Sequence, residues 1–178
     1  MKNLHASATP YILGATSGRD RTIQAGFDAM RAFLESTGLD ASGAAQSDGA
    51  GAAALFTPDF MARYLAHMAR QPTAALFHDA LPILGKDGSL WNIQVASPAA
   101  GHVFAKTGTY VTADYLHRGL IVAGKGLAGY MTTASGQRLA FAIYANNVPV
   151  QDAADVTRVV GEALGEIATA AYNDRKGS

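Results

Sequence analysis

Residues 102–111 read "HVFAKTGTYV". Val103, Phe104, Tyr110, Val111 and the two threonines favour extended backbone, so the stretch predicts a β-strand that holds a cation, Lys106. A lysine on an exposed edge strand is a common guard against edge-to-edge pairing, and that reading stands beside any functional one. The stretches "GLAGYMTTA" and "RLAFAIYANN" share the signature, and "ASGQR" between them supplies a tight turn. Residues 101–147 therefore predict three strands, the last two an antiparallel hairpin. In "AADVTRVVGEALGEIATAAYND" the positions Val156, Val159, Val160, Leu164 and Ile167 fall at helical spacing. A closing helix over 152–174, lying on the sheet, follows.

Upstream of the strands, residues 1–100 read mainly as helices and loops. Leu4, Ala8, Tyr11 and Ile12 give a helix from Asn3 to Leu13, with Pro10 expected near a start or a kink. Ile23, Phe27, Met30, Phe33 and Leu34 mark one face of a second helix that stops at Gly38. Residues 41–56 are rich in Gly, Ala and Ser and read as a loop. Thr57 then caps a helix with Pro58 at its first position, and "GKDGSLWNI" is rich in turn formers. No repeat or linker divides the chain, so 1–178 is expected to be one domain.

The composition supports a packed core: of 178 residues, 49% are hydrophobic and 16% charged. Net charge is zero and no Lys/Arg run exceeds two residues, which argues against nucleic acid or an anionic membrane as a partner. No apolar run is long enough for a membrane-spanning segment, and the first residues lack the core of a signal peptide. With no cysteine there is no disulfide or thiolate metal site, and the five histidines show no metal-binding spacing. Neither metal nor cofactor is expected, and the "GLAG" and "GKG" glycines do not form a phosphate-binding pattern. Asp48 and Asp87 read as residues that shape turns, and Trp91 and Tyr110 as core or cleft-wall aromatics. His102 would share the face of Lys106 if the strand reached that far.

The words "SDGAG", "LPILGKDGSL" and "AKTGT", followed by the hairpin and the closing helix, resemble the C-terminal part of the D-alanyl-D-alanine carboxypeptidase/endopeptidase family. These are the class C low-molecular-mass penicillin-binding proteins, and the likeness spans essentially the whole chain in order. It implies an α/β (α+β) transpeptidase fold of the β-lactamase type: an antiparallel sheet with a K-T-G strand, covered by the C-terminal helix and an N-terminal helical region. It further implies serine-type peptidase chemistry on peptidoglycan stem peptides, with β-lactams as alternative ligands. In such a site Lys106 would serve proton transfer and hold the serine of an S-x-N motif. Thr107 and Thr109 would bind the substrate carboxylate, Gly108 would keep the wall low, and the Thr109 N–H would form half of an oxyanion hole.

The same resemblance exposes a gap. The family's nucleophile lies in an S-x-x-K motif, yet the residues three before Lys86, Lys106, Lys125 and Lys176 are Ile83, Val103, Val122 and Asn173. The opening "MKNLHA" places Met1 where the S-x-N serine would stand and Asn3 at its asparagine, which would bind the substrate's acyl-side amide. An ordinary residue at a helix start is the other reading of Asn3. The expectation is a C-terminal portion of a periplasmic or otherwise extracytoplasmic parent, without turnover on its own. The alternative is a non-catalytic remnant that binds a partner chain or a muropeptide, or that forms homo-oligomers through exposed apolar surface. A third reading is an unrelated α/β domain, in which 104–109 would be helical or buried away from any cleft.

Overall fold

The computed structural model describes residues 3–18, 20–51 and 54–174. They fall into two compact units, Met1–Phe60 and Met61–Ser178.

In the first unit, α1 (Asn3–Thr16) packs on α2 (Ile23–Ser36). Thr22 caps α2, its hydroxyl accepting the Ala25 N–H at 3.1 Å. Pro10 lies inside α1 and is buried, so of the two places the sequence reading allows it, near a start or at a kink, the start does not apply. Proline in a helix interior leaves the carbonyl four residues back without its donor. Here that carbonyl, of Ala6, rests against Gly49, where a Cβ would come within 2.0 Å of it. The Pro10 carbonyl in turn meets Gly26 so closely that a Cβ there would sit 1.9 Å away. Backbone packing against glycine thus accommodates the proline. Within the segment expected to be loop, β1 (Ala44–Ala45) and β2 (Leu55–Phe56) form a two-residue antiparallel ladder. Next comes α3 (Pro58–Met68), with Thr57 accepting the Phe60 N–H at 3.2 Å as its cap.

The second unit holds the rest of α3, then α4 (Ala74–Asp79), β3 (Val103–Asp114), β4 (Gly119–Thr132), β5 (Arg138–Ala145) and β6 (Val148–Val150). A π-helical segment, Val156–Gly161, leads into α5 (Glu162–Asn173). The strands run β3-β4-β5, all antiparallel, and β6 pairs with the first part of β4. The expected hairpin of the last two strands is β4–β5, with Lys125 opposite Ala145 and Thr132 opposite Arg138. Two expectations change: β4 begins at Gly119 instead of near 126, and β6 adds a strand after Asn147, whose φ of 56° breaks the run from β5.

Glycines concealed the first half of β4, since they weaken strands when viewed locally. Tertiary fit requires some of them. A Cβ at Gly126 would lie 2.7 Å from the Tyr144 ring, and one at Gly129 only 2.1 Å from the Phe104 carbonyl.

One face of the sheet builds the core. Val103, Ala105, Leu127 and Met131 pack with Leu164 and Ala168 of α5 and with Leu84, Leu90 and Ile93 from the preceding loop. Full burial of each large aliphatic side chain contributes about 1.5–3 kcal/mol. On the opposite face the Phe104 ring lies 4.2 Å from that of His78, and the Tyr130 hydroxyl donates to the Leu65 carbonyl at 2.8 Å.

Candidate active-site strand

The word "LPILGKDGSL" folds into a loop that grips β3. Leu84 donates its N–H to the Val103 carbonyl at 2.9 Å, and Ala105 donates to the Pro82 carbonyl at 2.9 Å. Asp87 sets the loop's shape by accepting the Ile83 N–H at 2.7 Å, as its turn-forming reading anticipated. Gly85 and Gly88 supply φ values of 68° and 56° that other residues rarely adopt. Leu90 anchors the far end in the core, 1% exposed. Ser89 is thereby brought to β3, where its oxygen accepts the Thr107 hydroxyl at 2.9 Å.

This pairing fixes which groups of β3 face outward. In an antiparallel ladder the N–H and C=O of one residue point to the same side, and successive residues alternate. Since Val103 and Ala105 bond the loop, Thr107 and Thr109 also direct their backbone groups to that outer edge, while Lys106 and Gly108 bond to β4. The loop stops at Ala105, so within the second unit the edge from Lys106 to Thr109 is left for an added strand.

The side chains alternate in the same way. Lys106 and Gly108 occupy one face, where a Cβ on Gly108 would meet nothing within 4 Å. The Lys106 ammonium turns to the edge and donates to the Thr107 carbonyl at 2.6 Å. Partial burial lowers its pKa from the ordinary lysine value. Thr107 and Thr109 occupy the other face, over a cavity of about 220 Å3 floored by Thr157 and Gly161 of the π segment. Beneath them lies Lys125 of β4, directly opposite Thr109 in the register and only 7% exposed. Its ammonium donates to the Thr109 hydroxyl at 3.2 Å. Burial, and secondarily the positive charge of Lys106, lowers the Lys125 pKa.

The remaining candidates lie elsewhere. Asn3 opens α1 in the first unit and is exposed, while Met1 and Lys2 fall outside the described residues. Asp48 accepts the Gly51 N–H at 2.5 Å and shapes its glycine-rich loop. His102 precedes β3, and its ring stacks on Tyr172 of α5 at 5.2 Å, so the alternation that would give it the face of Lys106 does not reach it. Among the described residues no His/Asp/Glu cluster suited to a metal occurs, and no helix is long and apolar enough to cross a membrane. Sequence reasoning missed Ser89, Lys125 and Thr157. Ser89 sat within a recognised word, whereas Lys125, between two glycines, carried only the signature of a turn.

Comparison with known proteins places this strand in context. Residues 2–166 match the D-Ala-D-Ala carboxypeptidase 3 (S13) family. Carboxypeptidase DacB of Mycolicibacterium smegmatis is 29% identical over 155 residues, which is 82% of this chain and 31% of that protein. Among solved structures, penicillin binding protein 4 (dacB) from Haemophilus influenzae superposes with a TM-score of 0.78 at 22% identity, over 97% of this chain and 37% of that one. A predatory endopeptidase from Bdellovibrio bacteriovorus gives a TM-score of 0.61 at 18% identity, over 96% and 40%. The chain thus spans roughly a third of the length of these relatives, and the mixed helix and antiparallel-sheet fold is the one the penicillin binding protein shares.

Proposed function

Because the chain belongs to the D-Ala-D-Ala carboxypeptidase 3 (S13) family, we propose that it is the K-T-G-bearing part of a serine-type D-Ala-D-Ala carboxypeptidase/endopeptidase acting on peptidoglycan stem peptides outside the cytoplasm. The observation that carries this reading is the outer edge of β3, left unpaired by the loop from Lys106 to Thr109 and flanked by two hydroxyls and two ammonium groups. A peptide lying there as an added strand would exchange hydrogen bonds with Thr107 and Thr109. Its scissile carbonyl would come to the Thr109 N–H, a fixed donor for the oxygen that gains charge when a nucleophile attacks. A serine hydroxyl would form the acyl ester, D-alanine would leave with a proton, and water would then release the acyl group. Lys106, its pKa lowered by partial burial, would hold or pass that proton.

Since this sequence contains no S-x-x-K, the chain supplies the binding wall and carries out no turnover by itself. A Haemophilus influenzae relative has been solved with a bound β-lactam, and we extend β-lactam recognition to the same edge of β3 here. An NMR titration of the 178-residue chain with an N-acetylated D-Ala-D-Ala peptide tests the reading. Backbone amide shifts should concentrate at residues 105–109 and in the loop around Ser89, and the L-Ala-L-Ala diastereomer should produce none. Shifts absent from β3, or equal for both peptides, count against it.

A further inference from the structure

Of the strands at the margins of the second unit's sheet, β5 alone lacks a guard against pairing with another chain. Lys106 and a register shift between Tyr110 and Val111 mark β3, and Pro149 takes a donor from β6; lysines, bulges and prolines all discourage strand addition. β5 has none of these. It is eight residues, "RLAFAIYA", without proline or glycine and charged only at Arg138, and it keeps register with β4 along its whole length.

Its outer side is unpaired. Val103 and Ala105 turn their backbone groups away from β4, so β3 and β4 are bonded through Lys106–Ala128 and Gly108–Gly126. The alternate β4 residues, Leu127 and Gly129, then turn toward β5, where Ile143 and Phe141 complete the ladder. Arg138, Ala140, Ala142 and Tyr144 therefore direct their N–H and C=O groups away from the sheet. Among the described residues none of those groups has a backbone partner. The core is open on the same side: Leu139, Phe141, Ile143 and Ala145 pack against it but are only partly buried.

Two copies of this strand complement each other in one direction. Paired parallel and in register, they would set Arg138 beside Arg138, which is repulsive. Paired antiparallel with Phe141 on a two-fold axis, Arg138 of each copy faces Tyr144 of the other, an aromatic ring that attracts a guanidinium. Leu139 then faces Ile143 and Ala140 faces Ala142. Every outward N–H and C=O from Arg138 to Tyr144 gains a partner, and the open flanks of the two cores meet. Since the contact consumes the same edge on both copies, it ends at a dimer and does not grow into a fibre.

We infer that the chain forms a two-fold dimer by antiparallel pairing of β5 with β5 of a second copy, joining two sheets into one. The inference is independent of the peptidase reading, because β3 lies at the opposite margin of the sheet and keeps its outer edge in both copies.

Light scattering after size-exclusion chromatography of the full chain should give twice the chain mass, with dissociation on dilution. Ala142→Pro removes an outward donor and leaves the β4 ladder intact, so it should weaken the dimer at least about tenfold while the circular dichroism stays that of wild type. Disulfide cross-linking reads the register, since the wild-type chain has no cysteine. Ala140→Cys mixed with Ala142→Cys should cross-link in air far faster than either variant alone, the two positions being directly opposed. A strict monomer overturns the inference and leaves the edge to a strand from a different chain. So does a dimer unchanged in a folded Ala142→Pro, or cross-linking as fast in either cysteine variant alone as in the mixture. Should Ala142→Pro fail to fold, the cross-linking comparison decides.

Discussion

A lysine enclosed as Lys125 is gives up most of its hydration and, in the free protein, receives one hydroxyl in return. The lowered pKa expresses this imbalance, burial being the larger cause and the charge of Lys106 the smaller. Its consequence for stability has a definite sign. Between the lowered native pKa and the usual 10.5, the unfolded chain holds more protons than the native one, so this group makes stability rise with pH across that window. Below the window the full penalty applies, and above it none remains. Lys125→Met should therefore be more stable than wild type at pH 7, by about 1 kcal/mol or 2–4 °C in Tm. The advantage should shrink as pH approaches 10.5, and thermal melts of both proteins at several pH values check it. A lower Tm for the variant at pH 7 would mean that the ammonium is already well compensated.

Elements separate what the sequence discloses from what it withholds. The strand "HVFAKTGTYV" was legible because its β-branched and aromatic residues surround the motif, and the unrelated-domain reading, with 104–109 helical or buried away from any cleft, finds no support in a strand whose Thr107 and Thr109 line a cavity. Phe60, Leu65 and the Thr57 cap were legible for the same local reasons. The first half of β4 was not, because "GKG" looks like a turn until its partners are known. The π segment was hidden too, since helical spacing does not reveal a locally widened turn. Glycines at two neighbouring sites make this distinction testable. At Gly129 a Cβ would strike the backbone of β3, 2.1 Å from the Phe104 carbonyl and 2.6 Å from the Ala105 Cα. Gly129→Ala should force β3 from β4 and cost about 3 kcal/mol, a fall in Tm of roughly 10 °C. Gly108 has open space around it, so packing does not explain its presence, and the proposed function supplies a reason, a ligand lying alongside the strand. Gly108→Val should leave the Tm within about 2 °C of wild type, valine being the better strand former, while weakening peptide binding severalfold in the same titration. A large loss of stability in Gly108→Val would assign that glycine to the fold instead of the site.

At the scale of the whole molecule, the chain carries an edge strand, a cavity lined by hydroxyls and Lys125 and a candidate proton-handling lysine, but a nucleophile must also be activated to be effective. The serine on the cavity is Ser89, and its environment argues against that role. Its hydroxyl accepts from Thr107, and among the described residues neither lysine nor histidine is hydrogen-bonded to it. A neutral hydroxyl without a base near it reacts slowly, and loss of an activated serine lowers rates by roughly 10⁶-fold in well-studied hydrolases. Incubated with a fluorescent penicillin, the 178-residue chain should therefore carry no covalent label above that of the heat-denatured chain, even at concentrations where the drug shifts the amides of Thr107 and Thr109. Mass spectrometry of the intact chain checks this independently of fluorescence. Near-stoichiometric acylation would overturn the prediction, and peptide mapping would then say whether Ser89 had acquired a base on ligand binding or another serine had been recruited. Reversible occupancy without acylation is the result that the proposed function predicts for this chain.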